Sequence, residues 1–259
     1  MKKLILIISL LMLALAVVGC GGGEKKAADG KTAVKVLKIG TNPDFAPFEF
    51  QDEKTKEYAG FDMDLIKALA KQAGYEAKVT SLAFDGLLPA LMAGNIDVAI
   101  SGMTITKERA EKVLFTDPYY KSGLSIITKT SNTAINNLKD LEGKKIAVQI
   151  GTSSAMAAKK IANANVREFN NVSDVYMELK NGGVDAAIND LPVNQYYIKT
   201  ANNKELKIVG SILEAEDYGI ALDKKNTEVQ KKLNTALAEL KKNGEYDKIY
   251  EKWFGKQIK

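Results

Sequence analysis

Phe84–Ile100, FDGLLPALMAGNIDVAI, and Val172–Ile188, VSDVYMELKNGGVDAAI, carry one pattern twice. Laid side by side without a gap, Leu91 falls on Leu179, Gly94 on Gly182, Asp97 on Asp185, Ala99 on Ala187 and Ile100 on Ile188. Each copy reads as an amphipathic helix opened by a residue of N-cap type, Asp85 or Ser173, then a glycine stop and a short apolar strand. A polar break follows in both: Ser101-Gly102-Met103-Thr104 and Asn189-Asp190-Leu191-Pro192. Part of this match is what any two amphipathic helices would share; the whole of it points to two similar α/β lobes. Ligands of open α/β sheets sit outside the carboxyl ends of the strands. Two lobes facing each other would therefore form a cleft from the two breaks.

The flanking sequence extends the same alternation. Strands are predicted at Val36–Gly40, Tyr75–Thr80, Ile96–Ile100, Lys145–Gln149, Val166–Phe169, Val184–Ile188 and Leu206–Val209, with helices between them, which gives α/β with largely parallel sheets. One helix starts at Asp62, with Leu65, Ile66, Leu69, Ala70 and Ala73 on its apolar face and Gly74 as its stop. Two more come after the last strand candidate, about Thr227–Asn243 with an apolar stripe at Val229, Leu233, Ala236, Leu237 and Leu240, and about Glu245–Phe254. These two are expected to pack back on the first lobe.

The 259 residues are 46% apolar and 27% charged, enough for one or two packed domains. Histidine is absent and Cys20 is the one cysteine. A Ser-His-Asp triad, a Cys-His pair, His-ligated zinc, a CxxC metal site and an intrachain disulfide are thereby excluded. The formal charge of +5 is spread over lysines interleaved with acids, as in Lys107-Glu108-Arg109-Ala110-Glu111-Lys112, which is a solvated helix face and not a nucleic-acid patch. No catalytic residue, metal or cofactor is expected.

The N-terminus reads as an address. Met1-Lys2-Lys3 precedes an apolar run, Leu4–Val18, too short for the ~20 residues of a bilayer span. The run ends at Val17-Val18-Gly19-Cys20, which looks like the lipobox of bacterial lipoproteins, where the cysteine is acylated after cleavage. The expectation is a signal peptide over 1–19 and a lipidated flexible tether over 20–35, holding the protein outside the cytoplasm, in a periplasm or on the outer face of the cytoplasmic membrane.

Several residues near the predicted strand ends could serve a ligand. Arg109, one of only two arginines with Arg167, suits bidentate carboxylate recognition, and its spacing equally fits a surface position on a short helix capped by Thr106. Asp190, before Leu191-Pro192, reads as a ligand contact or as a helix N-cap. Gly151-Thr152-Ser153-Ser154 offers backbone N–H groups at a helix start or is an ordinary capped turn, and lacks the glycines and lysine of a P-loop. Phe45-Ala46-Pro47-Phe48-Glu49-Phe50 is an aromatic loop that could line a site or simply fill core. Together they describe a site for a zwitterion: a cation, an anion, N–H groups and aromatic walls.

With these residues in view, the chain resembles the polar amino-acid-binding proteins of bacterial ABC importers, the family 3 extracellular solute-binding proteins, and among them most closely the glutamine-binding proteins. The resemblance covers nearly all of residues 36–255 and rests on the aromatic loop, Gly60-Phe61-Asp62-Met63-Asp64-Leu65, Gly102-Met103-Thr104-Ile105-Thr106-Lys107-Glu108-Arg109, Tyr119-Tyr120-Lys121-Ser122-Gly123, Gly151-Thr152 and Tyr250-Glu251-Lys252-Trp253-Phe254. It implies a two-lobed type II periplasmic-binding-protein fold with two crossover strands. Lobe 1 would take residues 36–118 plus 219–259 and lobe 2 residues 124–213, with the hinge at Tyr119–Gly123 and Glu214–Tyr218.

The resemblance also implies roles. Arg109 would grip the ligand carboxylate with the Thr104 backbone, Thr152 and Ser153. Asp190 would hold the ammonium with the Gly102 carbonyl and the Thr104 hydroxyl, and Phe45 and Phe84 would sandwich the side chain. At the side-chain positions the family's usual glutamine binder has an aspartate, a lysine and a histidine, where this chain has Asn42, Gln149 and Asn189. Three neutral amides favour glutamine or a close neutral amino acid, because amides both donate and accept. The alternative is a basic amino acid: arginine, lysine or histidine. The expected partners are an ABC permease with its ATPase, and the membrane through the lipid anchor, with no nucleic acid; the protein is expected to be a monomer. An enzyme reading on the same fold, a cyclohexadienyl dehydratase, needs a general acid in the cleft, and Asp190 is the candidate.

Overall fold

In a computed structural model of the chain, residues 34–200 and 204–256 are described. The expected signal peptide, Cys20 and nearly all of the tether lie outside the described residues.

The chain opens with β1 (Lys35–Thr41), a small antiparallel sheet of β2 (Asp44–Phe45), β3 (Glu49–Gln51) and β4 (Tyr58–Ala59), then α1 (Phe61–Gln72), β5 (Tyr75–Ser81), α2 (Leu87–Met92), β6 (Val98–Ala99), α3 (Lys107–Ala110) and β7 (Leu114–Phe115). It continues through β8 (Tyr120–Lys129), β9 (Lys145–Gln149), α4 (Ser153–Ala158), β10 (Asn165–Phe169), α5 (Val172–Asn181), β11 (Ala186–Asp190), α6 (Leu191–Thr200) and β12 (Leu206–Val209). The last elements are β13 (Ala215–Tyr218), β14 (Ala221–Leu222), α7 (Thr227–Lys242) and α8 (Glu245–Phe254).

Two larger sheets result. The first has the order β5-β1-β6-β14-β7 and the second β10-β9-β11-β8-β12. Strands β1, β5 and β6 run parallel, as do β9, β10 and β11, while β14 in the first sheet and β8 and β12 in the second run antiparallel to their neighbours. The sheets are thus mixed and not largely parallel, because the chain changes sheet twice. It leaves the first sheet along β8 and returns along β13; the two strands pair antiparallel, from Tyr120 opposite Tyr218 to Gly123 opposite Ala215. These are the two crossover strands of a two-lobed α/β binding-protein fold.

Sequence periodicity and packing agree in most helices. Helix α1 buries Phe61, Met63, Leu65, Ile66, Leu69 and Ala70, and α7 buries Leu233, Ala236, Leu237 and Leu240. The C-terminal helices do return to the first lobe: Lys252 Nζ and Trp253 Nε1 both donate to Asp64 Oδ2 on α1, at 2.7 and 2.8 Å. Tyr246 Oη donates to the Tyr119 carbonyl at the foot of β8. Around that point Phe48, Phe61, Tyr120, Tyr218, Tyr250 and Phe254 form a continuous ring cluster, which joins the aromatic loop to both crossover strands.

The repeat folds as a repeat: helix, left-handed glycine and strand are α2, Gly94 and β6 in one copy and α5, Gly182 and β11 in the other. The caps differ from expectation. Asp85 lies inside a 3-10 turn with Gly86 at the N-cap of α2, and α5 is preceded by Asn171, which places Ser173 in the first turn.

Candidate functional site

The carboxyl ends of strands from both sheets converge on one narrow cavity. Asn42 follows β1, Phe84 follows β5, Ser101 and Gly102 follow β6, Gln149 ends β9 and Asp190 ends β11, and all of them line it. Phe45, Glu49, Thr104, Arg109, Thr152 and Ser153 complete the wall. Of the residues that the resemblance implies as ligand contacts, all but Asn189 line it. Strand alternation turns Asn189 to the face opposite Asp190, where its Nδ2 donates to Tyr176 Oη and its carbonyl accepts from Ser125 and Asn194. Asn189 is a buried packing residue of the second lobe.

Arg109 is 4% exposed. Its short helix is capped by the Thr106 hydroxyl as expected, but the side chain is turned inward and not to the surface. Nη1 donates to the Thr104 carbonyl at 2.7 Å and Nη2 to the Gly151 carbonyl of the other lobe at 2.9 Å, with the Phe84 ring 5.4 Å from the guanidinium carbon. Two of its five N–H donors are thus engaged, by neutral carbonyls. Among the described residues no carboxylate forms an ion pair with it. The carboxyls of Glu216 and Asp190 act on it without direct contact, and a buried cation with no ion-pair partner is costly, so its remaining donors suit an anion in the cavity.

Asp190 is the opposite pole. It is 5% exposed, and its Oδ1 finds no hydrogen-bond donor. Burial, reinforced by the neighbouring Glu216 carboxyl, pushes its pKa well above the usual carboxylate range. Glu216, on the crossover strand β13, is itself buried with Oε2 lacking a donor. A cationic ligand group in the cavity would give Asp190 a partner. Nothing in the sequence pointed to Glu216, because a charged residue in a four-residue strand between two polar loops reads as solvent-facing.

Glu49, in the aromatic loop, is a further buried carboxyl of the cavity wall. It is fully buried, accepts from Ser101 Oγ at 2.8 Å, and leaves Oε2 without a donor. The β2–β3 hairpin folds it inward beneath Phe45. Behind it lies Asp62, in the first turn of α1, whose Oδ2 accepts from the Gly102 N–H at 2.9 Å and Tyr119 Oη at 2.7 Å. Burial is the chief reason both acids hold their protons more tightly than usual, Asp62 with a pKa raised to about 6.

The lobes meet across the cavity. Gln149 Nε2 donates to Asn42 Oδ1 at 2.8 Å, and the Thr104 and Ser153 hydroxyls lie 3.3 Å apart. Two glycines permit close contacts here, Gly102 within its own lobe and Gly151 across to the other. At Gly102, φ +50°, a Cβ would sit 2.7 Å from the Phe45 ring; at Gly151, φ +75°, it would sit 2.9 Å from Asp85 Cβ in the other lobe.

Outside the cavity Asp44 Oδ2 accepts from both the backbone N–H and the hydroxyl of Ser173, at 3.0 and 3.1 Å. A carboxylate of the first lobe thus serves the opening turn of α5 in the second, where helix N–H groups favour negative charge. This bond pair exists only when the lobes are together. Asp44→Asn is expected to speed release of a bound ligand roughly tenfold with little change in its association rate, since a charge-assisted bond weakened by about 1.4 kcal/mol is a factor of ten. Stopped-flow fluorescence checks this; an unchanged release rate would show that the latch does not hold the closed state.

Comparison with known proteins agrees with this geometry. The model of the bacterial extracellular solute-binding proteins, family 3, matches residues 37–256, and the chain belongs to that family. The arginine-binding extracellular protein ArtP of Bacillus subtilis (strain 168) is 35% identical over 258 residues, covering 98% of both chains. An ancestral arginine-binding protein bound to arginine superposes with a TM-score of 0.82 at 48% identity, over 85% of this chain and 98% of its own. An ancestral arginine-binding protein bound to glutamine gives 0.80 at 46%, with the same coverage.

Proposed function

We propose that this protein is the extracytoplasmic receptor of an ABC importer for amino acids and that its ligand is a basic amino acid, arginine foremost. The observation that carries the choice of ligand is Glu49: a buried carboxyl in the cavity wall with an oxygen that no protein donor satisfies. The argument for glutamine rested on a wall of neutral amides. Of those three, Asn189 faces away, and Asn42 and Gln149 are engaged with each other. A guanidinium between Phe45 and Phe84 would meet both a counter-ion and aromatic faces. Arginine-, histidine- and cystine-binding relatives support an amino-acid ligand generally, and the arginine-binding ones support this choice.

In this reading the α-carboxylate pairs with Arg109 and the α-ammonium with Asp190. Ligand charge replaces the missing partners of both buried groups, so capture draws the lobes together about β8 and β13. The closed form is what a permease would receive. Calorimetric titration with arginine, lysine, histidine and glutamine tests the proposal: arginine should bind at least tenfold more tightly than glutamine. Tighter binding of glutamine would reverse it. Incubation with prephenate should yield no product at enzymatic rates; turnover would restore the dehydratase reading.

Lipid anchoring at Cys20 belongs to the same proposal. It rests on the apolar run Leu4–Val18 ending at the chain's one cysteine. Cys20→Ser should move the protein from the membrane to the soluble fraction, and quantitative retention on membranes would contradict the anchor.

A further inference from the structure

The floor of the cavity holds an arrangement that simple charge recognition does not need. Glu49 and Asp62 are both fully buried, and successive residues hold them together, Ser101 Oγ on Glu49 and the Gly102 N–H on Asp62. The two oxygens that find no N–H or O–H donor are Glu49 Oε2 and Asp62 Oδ1, one on each acid. Their other oxygens are fixed by Ser101 Oγ on Glu49, and by the Gly102 N–H and Tyr119 Oη on Asp62. Two carboxylates so placed cannot both stay ionised in a dry site that holds no cation beside them; without a ligand cation the stable state holds one proton between them.

We propose that this shared proton makes Asp62 a specificity-determining residue: a guanidinium entering the cavity displaces the proton to solvent, and a neutral amide leaves it in place. The inference rests on the basic-amino-acid reading above. With the proton retained, Glu49 presents a neutral acid to the ligand. With it released, Glu49 is a carboxylate that pairs with the guanidinium, and Asp62 supports it with oxygens already held by Gly102 and Tyr119. One protein could so take a cationic side chain at full strength and still accept a neutral one. Burial and the negative neighbours Asp62 and Asp190 are what raise the proton affinity of Glu49.

The groups facing the pair are Ser101 and Gly102 after β6, Tyr119 before β8, and Asp190 on β11, with Arg109 across the same cavity. Asp190 shares its own buried environment with Glu216 and Tyr218. Asp190 meets the α-ammonium of any amino acid, so any proton it exchanges is common to all ligands and cancels in a difference between two of them.

The test is calorimetry of the whole protein with arginine and with citrulline, its neutral ureido counterpart, at pH 6–7 in two buffers of different ionisation heat. Arginine should release about one proton more than citrulline, and the arginine-to-citrulline affinity ratio should rise by up to about tenfold per pH unit until the pair is ionised. The sign follows from linkage: a ligand that expels a proton binds more weakly as pH falls. In Asp62→Asn the amide would donate to Glu49 and keep it ionised, so the extra proton release with arginine should vanish. Equal proton counts for the two ligands with a flat affinity ratio would overturn the inference while leaving arginine binding intact. So would undiminished release in a folded Asp62→Asn. Failure of the wild-type protein to bind any basic amino acid would overturn the underlying reading and this inference with it.

Discussion

Arg109→Ala is expected to abolish amino-acid capture while the chain keeps its fold. Among the described residues the guanidinium is the one cation in the cavity wall, and it reaches the wall with two donors spent on carbonyls from opposite lobes. Removing one partner of a buried charge pair costs roughly 2–5 kcal/mol or more, a weakening of about 30-fold to several thousand-fold. The same substitution also removes the bridge from Thr104 to Gly151, so the variant should close less readily as well as bind less tightly. Arg109→Lys keeps the charge but loses the planar fork and the reach to two carbonyls, and should fall between. Circular dichroism establishes that the variants are folded, and calorimetry with arginine gives the affinity. A folded Arg109→Ala that bound within about threefold of wild type would remove the carboxylate role from this residue.

The second large effect is selective. Glu49→Gln should weaken arginine by a comparable factor, again roughly 2–5 kcal/mol, and leave glutamine and citrulline nearly unchanged. Glutamine at this position can still accept from Ser101 and donate to Asp62, so the packing of the floor survives. What disappears is the charge that meets the guanidinium. A parallel loss for all three ligands would mean that Glu49 acts on the shape of the site and not on its charge.

Much of this architecture is legible in the sequence, for definable reasons. The strands β1, β5, β9, β10 and β12 stand out because β-branched runs are bounded by turn residues, and the duplicated helix–glycine–strand unit identifies the two strand ends, at Ser101 and Asp190, that reach the cavity. The crossover strands do not stand out. In β8 the apolar run is broken by Ser122, Gly123 and Ser125, because its first half pairs with β13 at the hinge and only its second half lies in a sheet core. Asn189 and Asp190 show the limit of reading side chains from a strand without its register, since neighbouring residues point to opposite faces. Arg109 and Glu49 are legible as residue types but not as buried groups. Their inward orientation follows from tertiary contacts, with Gly151 for the one and Ser101 for the other.

The glutamine expectation turns on the same residue. It counted polar residues near strand ends and assigned Glu49 to an aromatic loop. That loop is a hairpin whose turn back onto α1 seats Phe48 in the core and leaves Glu49 in the cavity wall.

A crystal structure of the arginine complex shows which group holds each end of the ligand. The α-carboxylate is expected on Arg109, the α-ammonium within hydrogen-bonding distance of Asp190, and the guanidinium between Phe45 and Phe84 with its N–H groups on Glu49. Arginine bound with its side chain directed away from Glu49, or lying outside this cavity, would contradict this assignment.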